Sequence, residues 1–336
     1  MKKILFASGL VALMASAAQA QFTPGNLAVL RCGNGTNDVI NKTVSQTVFI
    51  DQYATNGALV PNTTVAITTN GVNAMVMEGG ATSEGGLTRS MDRTLLAITG
   101  YNTNVVPGVE FDSQSAAAVP RNIGTVDAFG NYLMVQVATG LFTKQDPRFV
   151  VTDGTNNFWP VGGASGVVLL NPPNGQTTIE GSAIANNRAI RIFNGNLYFS
   201  SQKSTPIGIY TFYTGSPANG GVPAGLPLNG AVVTNLVVPA LAGNASDFAV
   251  SPDGNTVYVA DISLGIQKYT INGSLVTSNY TIAVASGSQP RGAFAPVSYT
   301  HLSALASAKS FWNASLSFIC LTMACASTRP AWISVI

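Results

Sequence analysis

An all-β chain built by repetition is expected here, on three observations. Only 9% of the 336 residues are charged, while 46% are hydrophobic and 34 are Gly. Short runs of β-branched and aromatic residues recur along most of the chain, each behind a turn rich in Asp, Asn or Gly. The order of turn, run, Gly and second run is found at four places. So little charge in so apolar a chain excludes a disordered segment, a coiled coil and a nucleic-acid binder. The length fits two average domains or one large all-β domain. After the N-terminus no apolar run reaches the ~18 residues that span a bilayer.

The repeats give the elements in order. Leu95-Leu96-Ala97-Ile98 leads to Gly108-Val109-Glu110-Phe111, and Phe158-Trp159-Pro160-Val161 to Gly166-Val167-Val168-Leu169. Leu197-Tyr198-Phe199-Ser200 leads to Gly208-Ile209-Tyr210-Thr211, and Val257-Tyr258-Val259-Ala260 to Gly265-Ile266-Gln267. The turns before them are Met91-Asp92-Arg93, Thr152-Asp153-Gly154, Phe193-Asn194-Gly195 and Ser251-Pro252-Asp253-Gly254-Asn255. Asp, Asn and Gly accept the positive φ that tight hairpins need. Ahead of each turn lies another strand-like run: Gly86–Ser90, Arg148–Thr152, Arg188–Phe193 and Asp247–Ser251. The anchors Leu95, Phe158, Leu197 and Val257 stand 63, 39 and 60 residues apart. The shortest spacing fits a minimal four-stranded blade, and the longer ones call for a long outer hairpin such as Asn122–Leu141 around Phe129-Gly130-Asn131.

The expected architecture is an all-β propeller of four-stranded antiparallel blades, incomplete at its C-terminal end, with about five to six blades represented. Leu27–Arg31 matches the Gly-led second run and Val48–Tyr53 an outer strand, so the chain enters in mid-blade. Gln289–Ala295 reads as the first strand of a further blade, leaving an unclosed gap between first and last strands.

Both ends read as separate from this fold. Residues 1–20 form a secretory signal: Lys2 and Lys3, an apolar core from Ile4 to Ala15, and the small-x-small site Ala18-Gln19-Ala20. Residues 21–296 carry the propeller, C-terminally truncated. Residues 297–336 read as an adaptor-derived, chimeric tail. Val297-Ser298-Tyr299-Thr300-His301-Leu302 is one reading frame of a transposon-end sequencing adaptor, and it falls on a break in composition. Beyond Gly292 there is no Gly, Asp or Glu, yet His301, Cys320, Cys325, Trp312 and Trp332 cluster there. Residues 21–296 hold 12 basic and 14 acidic residues, a net charge of −2, so no polyanionic partner is implied. Their one cysteine, Cys32, reads as a buried strand residue.

Phe248-Ala249-Val250-Ser251-Pro252-Asp253-Gly254-Asn255-Thr256-Val257-Tyr258-Val259-Ala260-Asp261 resembles a blade of the bacterial NHL, SMP-30 and YVTN-type propellers. Together with Thr23–Arg31, Val48–Tyr53 and Ser83–Ser90, it is similar to a family of exported bacterial propellers, over most of Thr23–Ala295. The resemblance implies the fold and export, and is nearly silent on activity. Members often end in a PEP-CTERM-type sorting tail, which in this chain would lie beyond the adaptor junction.

Chemistry-bearing residues are few. The only His lies in the tail, which leaves no base for a Ser/His/Asp or Cys/His set. There is no HExxH, CxxC, Walker or GxGxxG motif, and zinc lacks ligands. Asp253-Gly254-Asn255 and Asp153–Asn157 read as turns, lacking the distal Glu of an EF-type loop. A calcium or magnesium site of oxygen ligands at the channel mouth, as in SMP-30-like lactonases, is the alternative to no cofactor. Turn alignment puts Glu84, Arg148, Arg188, Asp247 and Arg291 at or beside inner-strand starts, as candidate channel-lining residues. Three arginines in five oppose a cation and suit an anionic or carbohydrate ligand, or a surface protein. The stronger reading is that these charges tie neighbouring blades together. The expected function is an exported binding or scaffold module at the bacterial cell surface or in the periplasm, more a binder than an enzyme. The alternative is a metal-dependent lactonase, and a third reading is a stalk or adhesin component.

Overall fold

The computed structural model describes residues 22–34, 41–54, 56, 61–81, 83–106, 108–172, 175–180, 184–202, 207–226, 228, 232–239, 245–261, 263–272, 275–282 and 333–335. In chain order the strands begin with β1 (Leu27–Cys32), β2 (Ser45–Gln46), β3 (Val48–Tyr53), β4 (Thr63–Ala66) and β5 (Met77–Glu78). Blade 2 is β6 (Thr88–Arg89), β7 (Leu95–Tyr101), β8 (Arg121–Asp127) and β9 (Tyr132–Ala138). Blade 3 is β10 (Pro147–Thr152), β11 (Phe158–Gly162), β12 (Val167–Asn171) and β13 (Gly175–Glu180). Blade 4 is β14 (Asn187–Phe193), β15 (Asn196–Ser201), β16 (Gly208–Tyr213) and β17 (Val233–Pro239). Blade 5 is β18 (Ala245–Val250), β19 (Thr256–Asp261), β20 (Gly265–Asn272) and β21 (Leu275–Ile282). Blade 1 has the order β22-β1-β3-β4, with β22 spanning Ile333–Val335. A side sheet pairs β2 with β5.

These five antiparallel, four-stranded sheets form a propeller. The inner strands β10, β14 and β18 pack in succession, each against the next, and β7 packs on β10. Strand periodicity explains how one blade serves two neighbours, because successive side chains point to opposite faces. In β12, Val167 and Leu169 face the cluster shared with blades 4 and 5, while Val168 and Leu170 face the cluster shared with blade 2. Blades 1 and 2 share a third cluster around Leu30, Ile50, Met77 and Ile98. No helix among the described residues is long and apolar enough to cross a membrane.

The inner hairpins use the turn chemistry the sequence displays. Ser90 Oγ donates to Asp92 at 2.6 Å and accepts the Leu95 N–H at 2.9 Å. The same pattern returns at Ser251, whose Oγ donates to Asp253 at 2.6 Å and accepts the Thr256 N–H at 2.7 Å. In blade 4, Phe193 pairs with Asn196, so Asn194-Gly195 forms a two-residue loop with φ of 46° and 70°. That is the left-handed geometry for which Asn-Gly is suited.

The structure differs from the sequence reading in three ways. First, β1 is the second strand of its blade, and the outermost is Thr63–Ala66, outside Val48–Tyr53. Second, the inner position expected to be vacant is taken by β22, whose Val335 pairs with Val29. A strand's place in a blade is set by its pairing partners, which local pattern does not encode. Third, the hairpin β8–β9 turns where expected, but the long spacing after Leu95 comes from the loop 102–120 between β7 and β8. Gln289–Ala295, Arg291 and residues 297–302 lie outside the described residues.

The largest cluster centres on Phe199, fully buried and stacked on Tyr210 and Phe212 at centroid distances of 5.4 and 5.3 Å. Phe199→Ala should cost about 3–5 kcal/mol, read as a lowered denaturation midpoint in urea.

Candidate functional site

Antiparallel pairing brings the end of β7, the start of β8 and the start of β10 to one face of the ring. Tyr101, Arg121 and Arg148 stand at those three places. Around them lies a network of charged groups, most of them removed from water. Glu84, on the connection before β6, accepts the Tyr101 hydroxyl at 2.5 Å; its other oxygen accepts the Glu78 N–H at 3.0 Å. Burial pushes the Glu84 carboxyl well above its ordinary range, and the nearby Asp146 charge adds to this. Tyr101 is raised well above its usual value by burial and by Glu84.

Two buried guanidiniums balance these acids. Arg121 donates to the carbonyls of Val119, Phe111 and Gln145 at 2.7, 3.3 and 3.0 Å, and lies 5.1 Å from the centre of the Tyr101 ring. Arg148 donates to Asn186 Oδ1 at 2.8 Å and to the Asn187 carbonyl at 2.9 Å, joining blade 3 to blade 4. Its second nitrogen lies 3.5 Å from Asp146. Burial lowers both arginines from the ordinary value.

Asp247 lies on β18, and its carboxylate receives Arg191 of β14 at 2.5 and 3.2 Å. Arg191 also stands 5.1 Å from the centre of the Phe149 ring and donates to the Leu87 carbonyl at 3.5 Å. One guanidinium thus touches blades 2, 3 and 5 from blade 4. Arg188 bonds Gln202 of its own blade at 2.6 Å. Of the candidate channel-lining residues, Glu84 and Arg148 meet through Asp146, Asp247 pairs with Arg191, and Arg188 bonds Gln202.

A second group sits at the rim. Glu78, on β5, is 1% exposed. Its Oε2 accepts the Asp112 N–H at 3.0 Å, while its Oε1 is buried without a hydrogen-bond partner. Burial raises its carboxyl to about 7, the Asp112 charge adding to the rise. Lys42 reaches Glu110 at 3.1 Å and Asp112 at 2.8 Å from solvent, and these bonds hold its ammonium above the usual value.

On the opposite face, between blades 1 and 2, lies an open cavity of about 320 Å³. Its polar lining includes Asn26, Gln52, Arg89, Arg93 and Asp127. Arg93 holds a φ of 67° in the β6–β7 turn, and its carbonyl accepts the Arg89 guanidinium at 3.2 and 3.1 Å. Turn alignment alone did not single out Glu78, Tyr101, Arg121, Asp146 or Arg191. Asp146 precedes an inner strand in Asp146-Pro147-Arg148 and was within reach of that alignment. The others had no local signal, since their partners lie in other blades or in the 102–120 loop.

No family model and no curated protein matches the sequence. Among solved structures, a chain of the nidogen/laminin complex is 10% identical over 81% of this chain and 82% of its own, with a TM-score of 0.44. The gluconolactonase of Xanthomonas campestris is 11% identical over 64% of this chain and 68% of its own, with a TM-score of 0.41. An oligogalacturonate lyase of Vibrio parahaemolyticus is 9% identical over 77% and 80%, with a TM-score of 0.36. Likenesses this distant say nothing of activity, and the blades themselves identify the fold.

Removing one partner of a buried ion pair strands the other. Asp247→Ala should therefore cost about 3–5 kcal/mol in chemical denaturation. The raised Glu78 carboxyl makes the folded chain hold a proton that the unfolded chain has released above pH 4.5. Its contribution to stability is complete below that value and is lost as pH climbs to about 7. In EDTA, Glu78→Gln should flatten that decline in a Tm-against-pH series, leaving only the part due to Glu84.

Proposed function

We propose that this propeller is an exported binding or scaffold module of a bacterial cell surface or periplasm, and that its ligand is an anionic saccharide. The observation that supports a binder is the engagement of the charged groups nearest the axis. Arg148, Arg191 and Asp247 join blades to one another. Charges committed this way hold a ring rigid, and they do not converge on an open reaction centre.

The cavity between blades 1 and 2 supports the ligand class. Two exposed arginines beside the Asn26 amide, itself held by Gln52, pair guanidinium donors with a group that bonds hydroxyls. A carboxylated sugar presents both chemistries, and the cavity lies at the lower end of the size range of small-molecule sites.

Titration calorimetry with uronic-acid oligosaccharides tests this reading. Saturable binding is expected, weakened roughly tenfold or more by Arg93→Ala, since a charge-assisted hydrogen bond contributes about 1.5–3 kcal/mol. Neutral oligosaccharides should bind less well. Metal-dependent lactone hydrolysis that disappears in Glu84→Gln would establish the lactonase instead. Export predicts a protein recovered outside the inner membrane with Gln21 as its first residue.

A further inference from the structure

Three carboxylates, one from β5 and two from the β7–β8 loop, meet at the rim of blade 2. One oxygen from each of Glu78, Glu110 and Asp112 lies within 4.8 Å of the other two. Their placement is built. Phe111 is buried between the two acids of the loop, its ring 5.2 Å from that of Tyr101, and this turns Glu110 and Asp112 outward on either side. The loop is held down by the Asp112 N–H on Glu78, by Arg121 on the Phe111 carbonyl, and by the Gly108 and Val109 N–H groups on the Thr43 carbonyl at 2.6 and 3.2 Å. Ser45 and Val106 exchange two further bonds, at 3.1 and 2.8 Å.

An acidic cluster alone signifies little. The independent observation is Glu78 Oε1, an oxygen of a side chain that is 1% exposed, buried with no donor against it. Lys42 supplies a single ammonium to three carboxylates and bonds only the outer two. Its side chain is half-exposed on a flexible stem, free to withdraw into solvent. A buried acceptor without a donor, on one member of a three-carboxylate cluster, is what a cation would satisfy.

We propose that Glu78, Glu110 and Asp112 form a binding site for a hard divalent cation, Ca2+, which enters as Lys42 swings out. The donor set is all oxygen, with no nitrogen or sulfur to favour zinc or copper. Calcium accepts six to eight oxygens in adaptable geometry, and a half-open site assembled from loops matches that better than the strict octahedron of magnesium. Water completes the shell on the exposed side of Glu110. The ion would clamp β5 to the β7–β8 loop. This site is separate from the cavity between blades 1 and 2, and calcium binding is read without any saccharide.

The test is calorimetric titration of CaCl2 into the full chain after dialysis against EDTA, with thermal melts in parallel. One saturable site is expected, with a dissociation constant on the order of 10⁻⁴ M and a Tm that rises with Ca2+. Glu110→Gln, at a half-exposed position, should weaken binding at least tenfold, and so should Glu78→Gln if that variant folds. Lys42→Ala should tighten binding, because it removes the competing cation. Absence of saturable Ca2+ binding in the wild-type chain would overturn the site. Binding unchanged in Glu110→Gln would overturn it too, as would a Lys42→Ala chain that is destabilised and binds no Ca2+. In that last case the carboxylates serve only to hold the ammonium.

Discussion

The ring depends on the desolvation of one guanidinium. Arg191 is largely removed from water between blades, where charge is tolerated only if its hydrogen-bonding capacity is met. Asp247 of blade 5 meets most of it, the Leu87 carbonyl of blade 2 takes another donor, and the Phe149 ring of blade 3 covers the flat face. Each of these contacts requires its blade to stand at the correct angle about the axis. Apolar packing between blades is non-directional and would accept a range of tilts. The ion pair narrows that range, and Gly86 shows how tightly, since a Cβ there would fall 2.3 Å from the Phe149 ring.

The same logic extends to the loop face. Propeller blades differ mainly in their connections, and here the long 102–120 loop brings acids over the start of blade 2. It needs an anchor because it has no sheet of its own. Phe111 provides this by entering a small apolar cluster with Val76 and Tyr101. Arg121 then fixes the backbone at that anchor and at the end of the loop, through the Phe111 and Val119 carbonyls. The acids of the rim owe their positions to a buried aromatic ring and a buried arginine, not to each other.

Much of the fold was legible because it is written in local chemistry. Ser90-Met91-Asp92 and Ser251-Pro252-Asp253 specify their turns through bonds to partners no more than five residues away, and the unbroken apolar run of β12 states that both faces are covered. The rank of a strand within its blade was not legible. β1 reads like a third strand because a Gly-led apolar run suits any interior position, and only its partners β22 and β3 make it the second. For the site, turn alignment found where Arg148 and Asp247 lie but not whom they meet. Arg191 sits two turns of pleat further along β14 than the start of its strand, in the middle of an apolar run, where sequence gives no reason to expect a central role. Tyr101 and Glu78 gain their meaning from burial against residues of other segments, which no spacing encodes.

The hydrophobic interior is divided unequally. Blades 3, 4 and 5 share one large cluster, whereas blade 1 leans on blade 2 through a smaller one, and blade 2 joins blade 3 through another. Free energy of local opening follows such boundaries. The molecule is therefore two cooperative units in one ring: a C-terminal block of three blades, whose amide protons exchange last, and an N-terminal pair that opens first. Both the charged rim and the cavity between blades 1 and 2 belong to the pair that opens first, so a ligand at either place would act on the less durable half and draw the two opening free energies together.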